Sequence, residues 1–219
     1  MSLIVYYMWN FKPDEKNGFF NSARKAIINN RRFTAKNDLV TPEHVPRLLK
    51  ETEAEFPGIT KLYDKIPAWV TKADLVRLLK VYCDGGTYCD ADCLIKKPFE
   101  SYAHEYSVVL FTEFIINDIN VLGPRECKNP ENKTRIANFF FYSKLAKHPF
   151  FRDVIMECMN RLNELLVKNN ARNLSSTDIL WLCGPDVITS VYHKKKHSYR
   201  DIVLCDTSFL QHERHGSWR

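Results

Sequence analysis

Apolar positions in this chain fall into short blocks with two spacings. Alternating or continuous β-branched and aromatic runs mark strands, and returns every three or four residues mark helices. Residues 3–9, LIVYYMW, predict a buried first strand. Residues 17–29 place Phe19, Phe20, Ala23 and Ile27 at helical spacing. A short strand is expected at 38–40. A helix is expected over 42–56, with Val45, Leu48 and Leu49 inward, ended by Pro57-Gly58. Pro67 opens a longer helix with Val70, Leu75, Leu78, Leu79 and Tyr82 as its apolar face. Gly85-Gly86 stops it, because glycine accepts the left-handed conformation of a helix end. Strands are then expected at 87–89, 107–116, 138–142, 179–183 and 202–205, and helices at 150–168 and 185–193. Strand and helix alternate through the first hundred residues, which predicts βαβ units. The expected class is α/β, a Rossmann-like, mostly parallel mixed sheet flanked by helices.

Composition narrows the picture. The chain has 219 residues, 45% hydrophobic and 26% charged, which suits one globular domain and excludes disorder, collagen and coiled coil. The excess of Lys and Arg over Asp and Glu, 32 − 26 = +6, is mild. It fits a phosphate-bearing small ligand at least as well as a nucleic acid, which usually wants a denser basic face. The run Lys194-Lys195-Lys196, flanked by His193 and His197, reads as a solvated loop. The seven cysteines are an odd number that cannot all pair within one chain, and a chain this long needs no staples, so reduced thiols in a cytosol-like compartment are expected; no CxxC pair exists, so a zinc site is not. Residues 1–11 lack the basic start and cleavage site of a signal peptide, and no apolar stretch is long enough to span a membrane.

The chemistry concentrates in residues 69–99. Asp90 and Asp92 are two apart after a short strand, so in extended chain both carboxylates reach one point. At the carboxyl edge of an open sheet, that point is where ligands bind. Two hard oxygen ligands suit Mg²⁺ or Mn²⁺, leaving other positions to water and phosphate. Taken alone, such a triplet is also what a solvated turn carries. Asp74 and Arg77 are three apart on the preceding helix and share a face. They are either a surface ion pair or a guanidinium fork for a ligand phosphate beside a carboxylate for sugar hydroxyls.

The string from Ala73 to Asp92, A-D-L-V-R-L-x-x-x-Y-x-x-G-G-x-Y-x-D-x-D, resembles the DXD region of GT-A glycosyltransferases. The group includes yeast-type initiating mannosyltransferases, capsular-polysaccharide transferases and glucosylating clostridial toxins. Ala73 stands where serine is common. Tyr7-Met8-Trp9 resembles the family's motif after the first strand, Leu182-Cys183-Gly184-Pro185 its late T-G-P turn, and residues 212–218, HERHGSW, its closing C-terminal segment. Residues 117–131 match no motif. In length and overall likeness the chain is also similar to transferase domains of large algal viruses.

The resemblance implies a single GT-A domain over 1–219. Residues 1–100 would form the nucleotide-sugar and metal half, and 101–219 the acceptor half with a closing tail. It implies transfer of a hexose from a nucleotide-diphosphate sugar to a hydroxyl of a glycan or glycoprotein. A UDP-sugar such as UDP-glucose is favoured and GDP-mannose is second, with Mn²⁺ as cofactor and Mg²⁺ as the substitute. Asp90, Asp92 and Arg77 would be catalytic. Trp9, Asp74, Arg77, Tyr88, Asp90, Ser217 and Trp218 would hold the nucleotide sugar. Asp90 and Asp92, joined by His212 or His215, would hold the metal. The named relatives retain configuration; an inverting course would need a base, for which Asp178, Asp118 and Asp153 are positions. Location in the cytoplasm, the host's if the source is viral, completes the expectation. The rivals are an inactive sugar-nucleotide binder, a metal-dependent phosphatase, whose D-x-D-x-[TV] Cys93-Leu94 does not continue, and a nucleic-acid binder.

Overall fold

A computed structural model describes residues 3–11, 21–115 and 133–213. In chain order these form β1 (Ile4–Met8), α1 (Asn21–Asn30), β2 (Lys36–Val40), α2 (Val45–Thr52), α3 (Ile59–Lys65) and α4 (Trp69–Asp84). Then come β3 (Gly86–Cys89), β4 (Cys93–Ile95), α5 (Glu100–Glu105), β5 (Val108–Ile115), β6 (Thr134–Ile136) and β7 (Phe140–Ser143). The chain continues with α6 (Pro149–Leu162), α7 (Ser176–Leu182), α8 (Pro185–Lys195), β8 (Ile202–Cys205) and β9 (Leu210–His212).

The central sheet has the order β2-β1-β3-β7-β5-β6, with β8 also on β5. It is parallel through β2-β1-β3 and between β5 and β8, and antiparallel across β7 and β6. Alternate residues of each strand feed two cores, one per face, as the period of two requires. On one face Tyr6, Tyr88, Leu110 and Phe141 meet the inner sides of α2, α4, α6 and α8. On the other, Val5, Tyr7, Cys89, Phe111 and Phe140 pack with Phe99 and Ala103.

Two glycines allow close approaches of the backbone, one before the aspartates and one between α7 and α8. Gly86 has φ +88°, and a Cβ there would lie 2.8 Å from the Tyr6 ring and 3.2 Å from the Ile4 carbonyl. Only glycine lets β3 pass that close to β1. At Gly184 a Cβ would meet the Leu180 carbonyl at 2.8 Å, so glycine allows α8 to start against α7.

One expectation is overturned. Residues 179–183, read as a strand, lie mostly in α7. Ser175 caps that helix, its hydroxyl accepting from the Asp178 amide while the Asp178 carboxylate accepts from the Ser175 amide. A short apolar run fits either period, and here the cap decides. The helix expected at 42–56 begins as a 3₁₀ turn at Pro42–His44, and α6 runs into a π-helical stretch at Asn163–Lys168. α3, β4, α5, β6 and β9 have no counterpart in the sequence reading.

Candidate active site at the carboxyl edge of β3

β3 ends at Cys89 and the chain turns at once. The Asp90 amide donates to the Phe139 carbonyl at 2.8 Å, and the Cys93 amide donates to the Asp90 carbonyl at 2.9 Å. Asp90 and Asp92 therefore converge across a tight turn rather than along an extended strand. The turn's exit is pinned from α1: Asn30, fully buried, donates to the Cys93 carbonyl and accepts from the Ile95 amide, both at 2.9 Å.

The third member comes from β9. Its antiparallel pairing with β4 sets His212 opposite Cys93, one residue from Asp92. Nε2 of His212 lies 3.2 Å from Asp92 Oδ1 and 3.7 Å from Asp90 Oδ2. The imidazole stacks on Phe139 with centroids 4.1 Å apart. One ligand atom from each of Asp90, Asp92 and His212 lies within 4.8 Å of the others. Burial would lower the His212 pKa, but the bond to Asp92 and the charges of Asp90, Asp92 and Glu113 outweigh it and raise the value.

Behind the turn lies a buried polar layer. Arg77 is 7% exposed and Asp74 5%. Nη2 of Arg77 meets Asp74 Oδ1 at 2.9 Å, and Nη1 meets Asp90 Oδ1 at 3.0 Å and the Asn138 carbonyl at 2.9 Å. The guanidinium also covers the Tyr88 ring at 4.5 Å. Burial opposes its charge, and Asp90, Tyr88, Asp74 and Asp92 more than restore it. The fork expected to grip a ligand phosphate is therefore engaged by the protein, and it fixes Asp90. Tyr88 is likewise buried, and its hydroxyl donates to Asp90.

Asn138 was not singled out by sequence reasoning. Its Nδ2 donates to Asp74 Oδ1 at 3.1 Å, while its Oδ1 is buried with no hydrogen-bond partner among the described residues. Nε of Arg77 is in the same condition. Orphaned polar atoms this deep carry a cost, and a hydroxyl-bearing ligand beside them would relieve it. No sequence signal marks Asn138, because its place follows from β7 lying beside β3.

Trp9 follows β1, which is parallel to β3, so it stands at the same sheet edge; its amide donates to the Val40 carbonyl at 3.0 Å. His215, Ser217, Trp218 and Asp118 lie outside the described residues. Asp178 serves in the α7 cap, and Asp153 is engaged by Tyr199 and by Lys195, the latter at 2.8 Å.

The donor set fits a divalent cation: two hard carboxylates with one imidazole suit Mn²⁺, and less closely Mg²⁺. An acidic turn at a strand's carboxyl end, backed by a buried arginine, in a mixed sheet flanked by helices, defines a GT-A-like single domain. A family described as the glycosyltransferase sugar-binding region containing a DXD motif matches residues 13–123, and the chain belongs to it. Over 100 residues the chain is 25% identical to the initiation-specific alpha-1,6-mannosyltransferase of Saccharomyces cerevisiae (strain ATCC 204508 / S288c), covering 45% of this chain. The chain spans only 21% of that relative's length. The solved structure of PaToxG glycosyltransferase aligns over 89% of this chain and 69% of its own, with a TM-score of 0.53 and 14% identity. That likeness bears on the fold alone.

Proposed function

We propose that the chain is a Mn²⁺-dependent glycosyltransferase moving a hexose from a nucleotide-diphosphate sugar to a hydroxyl of a glycan or glycoprotein. The observation that carries the reading is the convergence of Asp90, Asp92 and His212 at the end of β3. A bound cation would supply Lewis-acid stabilisation of the charge that develops on a departing diphosphate. Asp90, Asp92 and His212 would hold it, and Mg²⁺ would serve less well. Arg77 and Tyr88 keep Asp90 aimed. Asp74 and Asn138 line the buried side, where they can take hexose hydroxyls. Trp9 would stack on the base, with UDP favoured over GDP. Residues 1–100 supply most of the donor side, joined by later residues such as Asn138 and His212, and the rest of 101–219 supplies the acceptor side. Family likeness favours retention of configuration.

A reducing, cytosol-like compartment is part of the proposal, supported by six described cysteines that are all free. Among the described residues no helix is long and apolar enough to cross a membrane. Calorimetry with UDP-glucose and with GDP-mannose, each in Mn²⁺ and in EDTA, tests the function. Binding that needs Mn²⁺, with slow donor hydrolysis when no acceptor is present, is expected. Binding of neither donor would refute the proposal.

A further inference from the structure

β5 and β6 do not pair in simple register. Thr112 faces Ile136 and Phe114 faces Arg135, so Glu113 is an extra residue in the ladder. Such a bulge bends the strand and re-aims a side chain, and bulges concentrate beside functional sites. This one lies at the same sheet edge as the aspartate turn. β5 runs antiparallel to β7, with Val109 opposite Tyr142, so the carboxyl end of β5 reaches the amino end of β7 near Asn138 and Phe139.

The bulge residue is held by a charged network. Nε of Arg135 donates to Glu113 Oε2 at 3.1 Å, and Nη1 of Arg135 donates to Asp186 in the first turn of α8. The Arg135 side chain is 8% exposed and that of Glu113 16%, so the network is mostly buried but opens at the glutamate. Burial raises the Asp186 pKa, against the pull of Arg135. Two acids share one guanidinium in a poorly solvated place, which stability does not require, since apolar residues of similar volume often serve as well.

We propose that Glu113 is a sugar-binding carboxylate beside the cation site, accepting a hydroxyl of the donor hexose while Arg135 and Asp186 fix its position. The proposal rests on the glycosyltransferase reading. A hexose joined to a diphosphate at Asp90 and Asp92 must lie within a few ångströms of the cation, and Glu113 stands at the same sheet edge, on the strand beside the one that Asn138 and Phe139 lead into. A charged acceptor held in one place selects a hydroxyl by position, because an isomer that misses it forfeits a charge-assisted hydrogen bond.

The test separates sugar from nucleotide. Affinities of UDP, UDP-glucose, GDP and GDP-mannose are measured by calorimetry in Mn²⁺ for the full chain and for Glu113→Gln and Glu113→Asp. Glutamine keeps the size and an acceptor for Arg135; aspartate keeps the charge and withdraws it. Glu113→Gln should weaken the nucleotide sugar by roughly ten- to hundredfold more than the bare nucleotide, with Glu113→Asp between. Equal weakening of both, no weakening in a variant with the wild-type thermal midpoint, or a wild type that gains nothing from the hexose would each overturn the proposal. A wild type that binds no nucleotide at all would instead overturn the glycosyltransferase reading, and this inference with it.

Discussion

Nε2 of His212 lies 3.2 Å from Oδ1 of Asp92, although 120 residues separate them in the chain. The contact exists because β9 pairs with β4 immediately after the Asp90–Asp92 turn. The β4–β9 ribbon thus joins the start of the site to its end, and the Glu213 amide, donating to the Asp92 carbonyl at 3.1 Å, closes the same ribbon.

The three side chains should therefore behave as one cation site. Asp92→Ala should lower Mn²⁺ affinity by more than about 100-fold, and His212→Ala by roughly 10–100-fold. Titration of free Mn²⁺ by electron paramagnetic resonance measures both. Unchanged affinity in Asp92→Ala would remove the carboxylate from the ligand set. Unchanged affinity in His212→Ala would make the imidazole a spectator that only balances charge in the free protein.

Arg77 should matter to stability as much as to activity. It compensates two acids in a layer with little solvent, so Arg77→Ala leaves Asp74 buried without its charge partner. Breaking such a pair costs about 3–5 kcal/mol. Arg77→Lys keeps the charge but has no planar fork for Asp74, Asp90 and the Asn138 carbonyl together, and it should recover only part of that loss. Urea midpoints give both values. A midpoint in Arg77→Ala equal to wild type would show that the buried network is not rigidly formed.

Asp74 imposes a pH dependence whose sign is fixed. Burial pushes its carboxyl from 3.8 up to about 7, with Asp90 adding to the rise and Arg77 and Asn138 opposing it. Below 3.8 the group is protonated in both folded and unfolded chains. Between 3.8 and about 7 the unfolded chain has lost the proton and the folded chain keeps it. The contribution of Asp74 to stability thus falls as pH rises through that window and levels off above it. Relative to wild type, Asp74→Asn should gain stability across the window, by an amount on the order of a few kcal/mol. Urea midpoints across the pH range, taken in EDTA, measure the difference. A difference that stays flat would mean that Arg77 keeps Asp74 ionised throughout.

What the sequence disclosed was what lies close together along the chain. The period of α4, its stop at Gly85-Gly86 and the D-x-D spacing all sit within residues 69–92, so Asp90 and Asp92 could be read as one group. The D-x-D spacing alone suggests convergence along an extended strand, whereas a turn produces it, because the Cys93 amide returns to the Asp90 carbonyl. Asn138, Glu113 and Arg135 carried no signal, since each owes its place to a ladder between distant segments. Arg77 was visible, but its burial was not: a helix residue three from an acid reads equally well as a surface pair. The misread at 179–183 had its remedy in the sequence, because Ser175 and Asp178 are spaced as a capping pair.

Gly86 is the position where fold and site are most tightly coupled. Its φ of +88° and the 2.8 Å approach to the Tyr6 ring leave no room for a side chain between β1 and β3. Gly86→Ala should cost at least about 1–2 kcal/mol from the left-handed backbone alone, with the clash added. Because Asp90 follows Tyr88, the β3 residue paired with Phe141, by only two residues, any shift of that strand also moves the carboxylate relative to His212. The variant should therefore lose Mn²⁺ affinity in addition to stability, although it touches no ligand. Gly58→Ala is the control: Gly58 also has positive φ, +86°, but a Cβ there meets nothing within 4 Å, and it lies far along the chain from the turn. It should show the backbone cost without the loss of Mn²⁺. Equal Mn²⁺ affinity in the two variants would break the proposed link between the β1–β3 approach and the aim of Asp90.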